Sequence, residues 1–310
     1  MTNFLKWVGG KGQILETVTS RFPTTMNTYI EPFIGGGSVL FEVLTNDKYH
    51  IDNIEASDIN PDLINCYNTI KNDIENLIIK LADLVTKWKG IPTAKVVLPE
   101  GVNRIKPAVH ANYDTEADAL NSSREGFYYY LRGEFNKRES TPLDMAAIFI
   151  LMNKLCFRGV CRYSGADQFN VPYGNPHRDL GVYSADNLRE CSRLFQRVNF
   201  RCRDFQGALD AARDGDFIYL DPPYINNDTE EGTQNFVGYV ANGFTQHDDL
   251  FNKLNSLPSG VSWIMSNAHN EKLRTSFPQC TVDVINVRRA INSKNPGSQS
   301  REMLVLKIPR

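Results

Sequence analysis

Residues Asp216-Phe217-Ile218-Tyr219-Leu220-Asp221-Pro222-Pro223-Tyr224 set the strongest local constraint on this chain. The apolar run reads as a buried strand, and the two prolines after the acid cannot donate to a sheet ladder, so the strand must stop at Asp221. That leaves the Asp221 carboxylate and the Tyr224 ring at the C-terminal edge of a strand, where open α/β sheets bind ligands. A carboxylate beside a proline carbonyl is a pair of acceptors with no donor, suited to an exocyclic amino group, and the tyrosine offers a face to a planar base. The residues suggest chemistry on the amine of a nucleobase.

Two glycine-bearing segments come earlier. In Lys6-Trp7-Val8-Gly9-Gly10-Lys11-Gly12 the glycines let backbone approach a ligand, the lysines bring point charges and Trp7 offers a flat ring, but the Gly-Lys-Ser/Thr ending of a Walker loop is missing. Tyr29 to Phe41 reads as a strand ending at Pro32, a glycine loop, and a helix from Ser38. About twenty residues on, Asn53 to Asp58 reads as a second strand ending on an acid, the position at which ribose hydroxyls are bound in such folds. The glycines are bunched and not spaced as G-x-G-x-x-G, which leaves an adenosine-containing cofactor other than a dinucleotide open.

From Pro61 to Lys87 apolar residues recur at three- and four-residue spacing, predicting one long amphipathic helix. Lys89 to Ser123 shows no period and reads as a loop-like insertion. Helical patterns follow over Glu125 to Lys137 and Leu143 to Leu155, expected to pack together, and Asn153 to Tyr163 interleaves cations and aromatics around the turn Phe157-Arg158-Gly159. Arginine reads guanine edges and an aromatic can wedge between bases, so this stretch is the candidate for meeting DNA. Past a helix near Ser184 to Phe195, Asn199 to Phe205 reads as a strand ending on Asp204 and Phe205, an acceptor and a ring edge for an adenine. Asn226 to Phe244 suggests a lid, Val261 to Asn267 a buried strand, and Val282 to Val287 with Met303 to Ile308 a closing pair joined by a basic loop, Arg288 to Arg301, suited to phosphate.

Net charge is −2, so a nucleic acid would have to be held by a local basic face. The six cysteines are scattered without a Cys-x-x-Cys pair or a histidine at ligand spacing, arguing against a zinc site or a disulfide framework; no metal is expected. Neither a signal-peptide core nor an apolar run of membrane-spanning length occurs, and a cytoplasmic location is expected.

Taken in order, Leu5 to Lys11, Tyr29 to Gly37, Asp58 to Asp62, Phe169 to Gly174, Asp216 to Tyr224 and Arg288 to Arg301 make the chain resemble the Dam-like, D12 class of site-specific DNA adenine-N6 methyltransferases, in the arrangement where the cofactor motif precedes the recognition insert. The resemblance implies an α/β, Rossmann-like S-adenosylmethionine-dependent methyltransferase fold with a mainly helical target-recognition insertion. On that pattern residues 1–70 and 190–310 form the catalytic domain and 71–189 the recognition domain. It implies Asp221, Pro222, Pro223 and Tyr224 as catalytic, with S-adenosylmethionine met by Trp7, Gly9, Lys11, Pro32, Phe33, Gly35, Gly37, Asp58, Asp204, Phe205 and Asp221. DNA would be met by Lys6, Phe157, Arg158, Arg162, Asn292 and Arg301.

The partners implied are double-stranded DNA and a cognate restriction endonuclease encoded nearby, with no membrane, the enzyme acting as a monomer or as a dimer on DNA. Arg158 stands where many GATC-methylating relatives carry asparagine, so the target stays open between GATC, CATG and another short site. The rival readings are an N4-cytosine methyltransferase, which more often has Ser or Thr at Asp221, an RNA or protein methyltransferase, which more often has Asn there, and an inactive DNA-binding module.

Overall fold

The computed structural model describes residues 3–7, 9–92, 115–174, 181–225, 244–288 and 299–308. Its elements begin with α1 (Leu15–Thr19), β1 (Thr25–Glu31), α2 (Ser38–Thr45), β2 (His50–Asp58), α3 (Pro61–Asn72) and α4 (Ile74–Gly90). Next come α5 (Glu116–Leu120), α6 (Arg124–Lys137), α7 (Pro142–Leu155), α8 (Ala185–Phe195), β3 (Val198–Cys202) and α9 (Phe205–Leu209). The chain closes with β4 (Phe217–Leu220), α10 (His247–Asn255), β5 (Ser262–Ala268), α11 (Glu271–Ser276), β6 (Thr281–Arg288) and β7 (Gln299–Lys307).

These elements divide into two compact units, one of Gly9–Ile64 with Leu194–Arg310 and one of Met1–Val8 with Asn65–Arg193. The sequence pattern puts the boundaries near residues 70 and 190 and the N-terminal segment with the catalytic part; in the structure Met1–Val8 groups with the helical unit.

The first unit is built on a seven-stranded sheet in the order β3-β2-β1-β4-β5-β7-β6. Strands β3, β2, β1, β4 and β5 are parallel, and β7 runs antiparallel to both β5 and β6. All four β4 residues are buried, as expected of a central strand covered on both faces. Alternation sends Phe217 and Tyr219 toward Phe22, with ring centroids 4.6 and 5.5 Å away. Ile218 and Leu220 face the opposite way, into a core with Leu250, Leu254, Trp263 and Met265. This is the Rossmann-like α/β fold expected from the sequence.

The second unit is helical. Helix α7 is buried from Met145 to Met152 without a break, an all-round apolar helix at the centre of its own core. Phe149 stacks on Phe135 of α6 at 5.8 Å, so the two predicted helices do pack together. The Asn136 side chain grips both the Phe169 N–H and carbonyl, at 2.8 and 3.1 Å, which ties the segment after α7 back onto α6.

Three expectations change. The predicted single helix from Pro61 to Lys87 is two helices, because Asp73 breaks the run with φ −146° and accepts from the Asn76 side chain at 2.7 Å; a short polar side chain offers the local bonds that compete with a continuing helix. Within the aperiodic 89–123 stretch a short helix, α5, forms where Thr115 caps the Asp118 N–H; residues 93–114 lie outside the described residues. Strand β3 ends at Cys202 rather than running to Phe205, since Asp204 caps α9 by accepting from the Gly207 N–H at 2.8 Å. The predicted lid, apart from its last residue Phe244, and most of the Arg288 to Arg301 loop, including Asn292, also lie outside the described residues.

Candidate functional site

Because β3, β2, β1 and β4 lie side by side and parallel, their C-terminal ends share one edge of the sheet. Each delivers an acid there: Asp204 just past β3, Asp58 and Glu31 as the last residues of β2 and β1, and Asp221 directly after β4.

Asp58 is held by backbone. One carboxylate oxygen accepts from the Gly35 N–H at 3.1 Å and the other from the Asn60 N–H at 3.0 Å. Burial pushes its proton affinity up, and those amides pull it back. Gly35 and Gly37 have φ of +48° and +70°, the left-handed region that glycine enters without strain, so the loop can fold over the Asp58 carboxylate. Gly37 caps α2 without a side-chain hydrogen bond. Phe33 stacks on Phe205 at 5.9 Å and Phe244 meets both edge-on. Phe205 is buried behind Phe33. Ile59, next to Asp58, is 58 % exposed, an unusual apolar surface beside a site acid.

Glu31 is almost fully buried and accepts from the Tyr29 hydroxyl at 2.8 Å. Burial raises its carboxyl to about 8, the Tyr29 bond opposes this, and Asp221 adds to it.

Asp221 is held by a side chain. The buried Lys11 ammonium lies 2.8 Å from Asp221 Oδ1, donates to the Tyr224 hydroxyl at 2.7 Å and sits 4.9 Å from the Tyr224 ring centroid. The Gly9 carbonyl takes a longer bond from the same ammonium, at 3.4 Å. Burial raises the Asp221 carboxyl, Lys11 lowers it, and Glu302 raises it further. The rest of the motif is pinned as well: the Tyr224 hydroxyl donates to Glu302 Oε2 at 2.8 Å, His247 Nε2 pairs with the Pro223 carbonyl at 2.9 Å, and the Ile225 N–H donates to Asn267 Oδ1 at 3.0 Å. Burial lowers the His247 pKa, so the ring is neutral near pH 7 and donates to that carbonyl. Among the described residues no donor reaches the Pro222 carbonyl. Asn267 Nδ2 is likewise buried without a partner.

In the helical unit, buried Asn153 accepts from the Lys6 N–H and donates to the Lys6 carbonyl, both at 2.8 Å, docking the N-terminal segment on the end of α7. The Lys6 ammonium reaches the Lys154 carbonyl at 3.0 Å. Burial first, and Lys6 second, lower the Lys154 ammonium to about 8. A Cβ on Gly159 would stand 2.4 Å from Lys6 Cβ, so only glycine admits this approach. Arg158 takes a left-handed conformation, φ +57°, and lies 5.1 Å over the ring of Phe157, which is 43 % exposed. A non-glycine residue there is strained, a cost that persists at sites the surrounding structure over-determines. The Arg162 Nε donates to Asn170 Oδ1 at 2.7 Å.

The model of the D12 class N6 adenine-specific DNA methyltransferases matches residues 7–92 and 100–291. The chain belongs to this family. The chain is 31 % identical to the Type II methyltransferase M.MjaIII of Methanocaldococcus jannaschii over 94 % of its own length and 93 % of the relative's. The DNA adenine methylase of Haemophilus influenzae is 30 % identical over 94 % of this chain and 88 % of its own. That of Vibrio cholerae is 28 % identical over 99 % and 96 %. The protein is therefore an enzyme of DNA adenine methylation, transferring a methyl group to adenine N6.

In this methyltransferase Lys11, Pro32, Phe33, Gly35, Gly37, Asp58, Asp204 and Asp221 to Tyr224 all belong to the sheet unit, whereas Trp7 falls in the helical unit with Lys6, Phe157 and Arg158. Arg301 is an exposed residue of β7. Sequence reasoning passed over Glu31, Ile59, His247, Asn267 and Glu302. Glu31 and Ile59 carried a local signal, an acid before Pro32 and an apolar residue after a strand-terminal acid, but the other three act through contacts made far along the chain. Among the described residues no group of His, Cys, Asp or Glu is arranged to hold a metal, and no helix is long and apolar enough to cross a membrane.

Proposed function

We propose that the methyl donor is S-adenosylmethionine and that Asp221 and the Pro222 carbonyl receive the amine of an adenine swung out of duplex DNA. The observation that carries this is the Lys11 ammonium: an N–H donor already rests 2.8 Å from Asp221 and against the Tyr224 ring, the two groups an exocyclic amine needs. The Pro222 carbonyl supplies the second acceptor, with no internal donor to displace among the described residues.

The donor set fits the cofactor. Asp58 retains lone pairs for ribose hydroxyls, the N-terminal end of α2 suits the amino-acid carboxylate, and Ile59 with Phe33 offers apolar faces to adenine. S-adenosylmethionine, when bound, supplies an electrophilic sulfonium methyl. The protein's part is to make a poor nucleophile ready, because the adenine amine's lone pair is delocalised into the ring. Two hydrogen bonds from it to Asp221 and the Pro222 carbonyl favour a pyramidal nitrogen with its lone pair aimed away from the acceptors. Lys11 yields Asp221 as the amine arrives, and Tyr224 holds the base by stacking. The raised proton affinity of Asp221 suits it to take the proton the amine sheds. Positioning and exclusion of water carry much of the rate.

The helical unit serves target recognition, with Lys6 and Arg158 on the DNA and Phe157 entering the base stack. The target is a short duplex site such as GATC or CATG. The enzyme works in the cytoplasm as a monomer or as a dimer on DNA, and a restriction endonuclease is its partner. Incubating the purified protein with duplex DNA and labelled S-adenosylmethionine, then identifying the labelled nucleoside and sequencing the marked positions, tests the reading. N6-methyladenine in one short motif is expected; label in cytosine, in RNA alone, or in no fixed motif contradicts it.

A further inference from the structure

Tyr224 and Ile225 are anchored not by the strand that carries them but by its neighbours across the sheet. In the β5–β7 ladder Ala268 faces Glu302 and Asn267 faces Met303. Strand β7 enters the sheet reversed, so its early residue Glu302 arrives at the C-terminal end of β5, beside the acid-lined edge. From there Glu302 accepts from the Tyr224 hydroxyl at 2.8 Å, while Asn267 accepts from the next N–H at 3.0 Å.

A phenol has one proton to give, and here it goes to Glu302 while the oxygen accepts from Lys11 at 2.7 Å. Both bonds of the hydroxyl involve a charged side chain, the stronger class of hydrogen bond, and together they fix the tilt of the ring. Burial, Asp221 and Glu302 all hold Tyr224 far above the ordinary tyrosine range, so it stays a neutral donor at any working pH. If Lys11 releases Asp221 when the base enters, Glu302 is the contact that keeps the hydroxyl in place.

We infer that Glu302 is a positioning residue for methyl transfer, acting through the Tyr224 hydroxyl to preset the ring on which the adenine stacks. This rests on the assignment of Tyr224 as the stacking ring. The role is one of orientation, so it shows in turnover more than in cofactor binding.

The test is a double-mutant cycle on the full chain with duplex DNA: Glu302→Ala, Tyr224→Phe and the pair together, with Glu302→Gln as the conservative variant and unfolding midpoints recorded for all. Glu302→Ala should lower kcat about tenfold, the size of one hydrogen bond to a charged group, with KM for S-adenosylmethionine little changed. Glu302→Gln keeps an acceptor and should recover most of the loss. The pair should be no slower than Tyr224→Phe alone. Multiplying losses, or a Glu302→Gln enzyme as slow as Glu302→Ala, overturns the proposal. If Glu302→Ala fails to fold, Glu302→Gln decides the matter, alone and combined with Tyr224→Phe: near-normal turnover alone and no added loss in combination support the proposal, and a multiplying loss overturns it. A Tyr224→Ala enzyme at the normal rate removes the underlying assignment instead, whereas a slow Tyr224→Ala beside a normal Glu302→Ala removes only the role of Glu302.

Discussion

Asp58 and Asp221 end strands that flank β1 on either side, and burial raises the proton affinity of both. Their partners differ. Asp58 is gripped by two backbone N–H groups, Gly35 of the glycine loop and Asn60 just beyond the strand, which move only with the main chain, whereas Asp221 faces an ammonium on a flexible four-carbon stem. One carboxylate is thereby a fixed fitting and the other an exchangeable grip. Under the proposed function, the difference teaches how one sheet edge can hold a cofactor still and yet admit a substrate amine a strand or two away.

The comparison breaks most visibly at Lys11. In Lys11→Met the Asp221 carboxylate loses its counter-charge; breaking such a buried pair costs about 3–5 kcal/mol. With 22 % of the Asp221 side chain exposed, the loss should fall at or below the lower end, about 2–3 kcal/mol, in denaturant unfolding at neutral pH. Methyl transfer should drop at least ~100-fold, since the pocket loses the cation that poises both Asp221 and Tyr224. A variant that keeps wild-type turnover would make Lys11 a bystander.

Asp58→Asn sharpens the other side. It keeps one acceptor for the loop amides but removes the charge offered to the ribose, so S-adenosylmethionine affinity by calorimetry should weaken about tenfold while kcat changes little. Unchanged affinity would remove Asp58 from the cofactor site.

Glu31, on the strand between them, tests the cost of the shared edge. Its carboxyl rises from 4.5 to about 8 in the native state, so between those values the folded protein holds a proton that the unfolded chain has released. Fewer protons bound in the unfolded state means stability falls as pH rises through that window, by at most about 1.4 kcal/mol per pH unit from this one group. Asp58 and Asp221, both raised, push in the same direction. Melting points taken from pH 5 to 8 should decline less steeply in Glu31→Gln than in the wild type; parallel curves would mean Glu31 is ionised in the fold.

Much of the edge was legible because proline and glycine act locally. Asp221 before two prolines, the loop from Pro32 to Gly37 and Asp58 at the end of a strand all stand where the sequence implied. The misplaced pieces follow from competition that a pattern does not display. Apolar periodicity runs straight through Asp73, so the helix break there is visible only in its side-chain bonds. Asp204 reads equally well as a strand end and as a helix cap. Glu302 and Asn267 reach Tyr224 and Ile225 from 78 and 42 residues away, through a strand register that no local motif encodes.

The central claim is that Asp221 grips the amine that is methylated. Labelled-methyl transfer from S-adenosylmethionine to duplex DNA, compared between the wild type and an Asp221→Ala variant with a matched unfolding curve, tests it directly. Loss of N6-methyladenine to background in the variant is the predicted result. Near-normal incorporation would contradict the account.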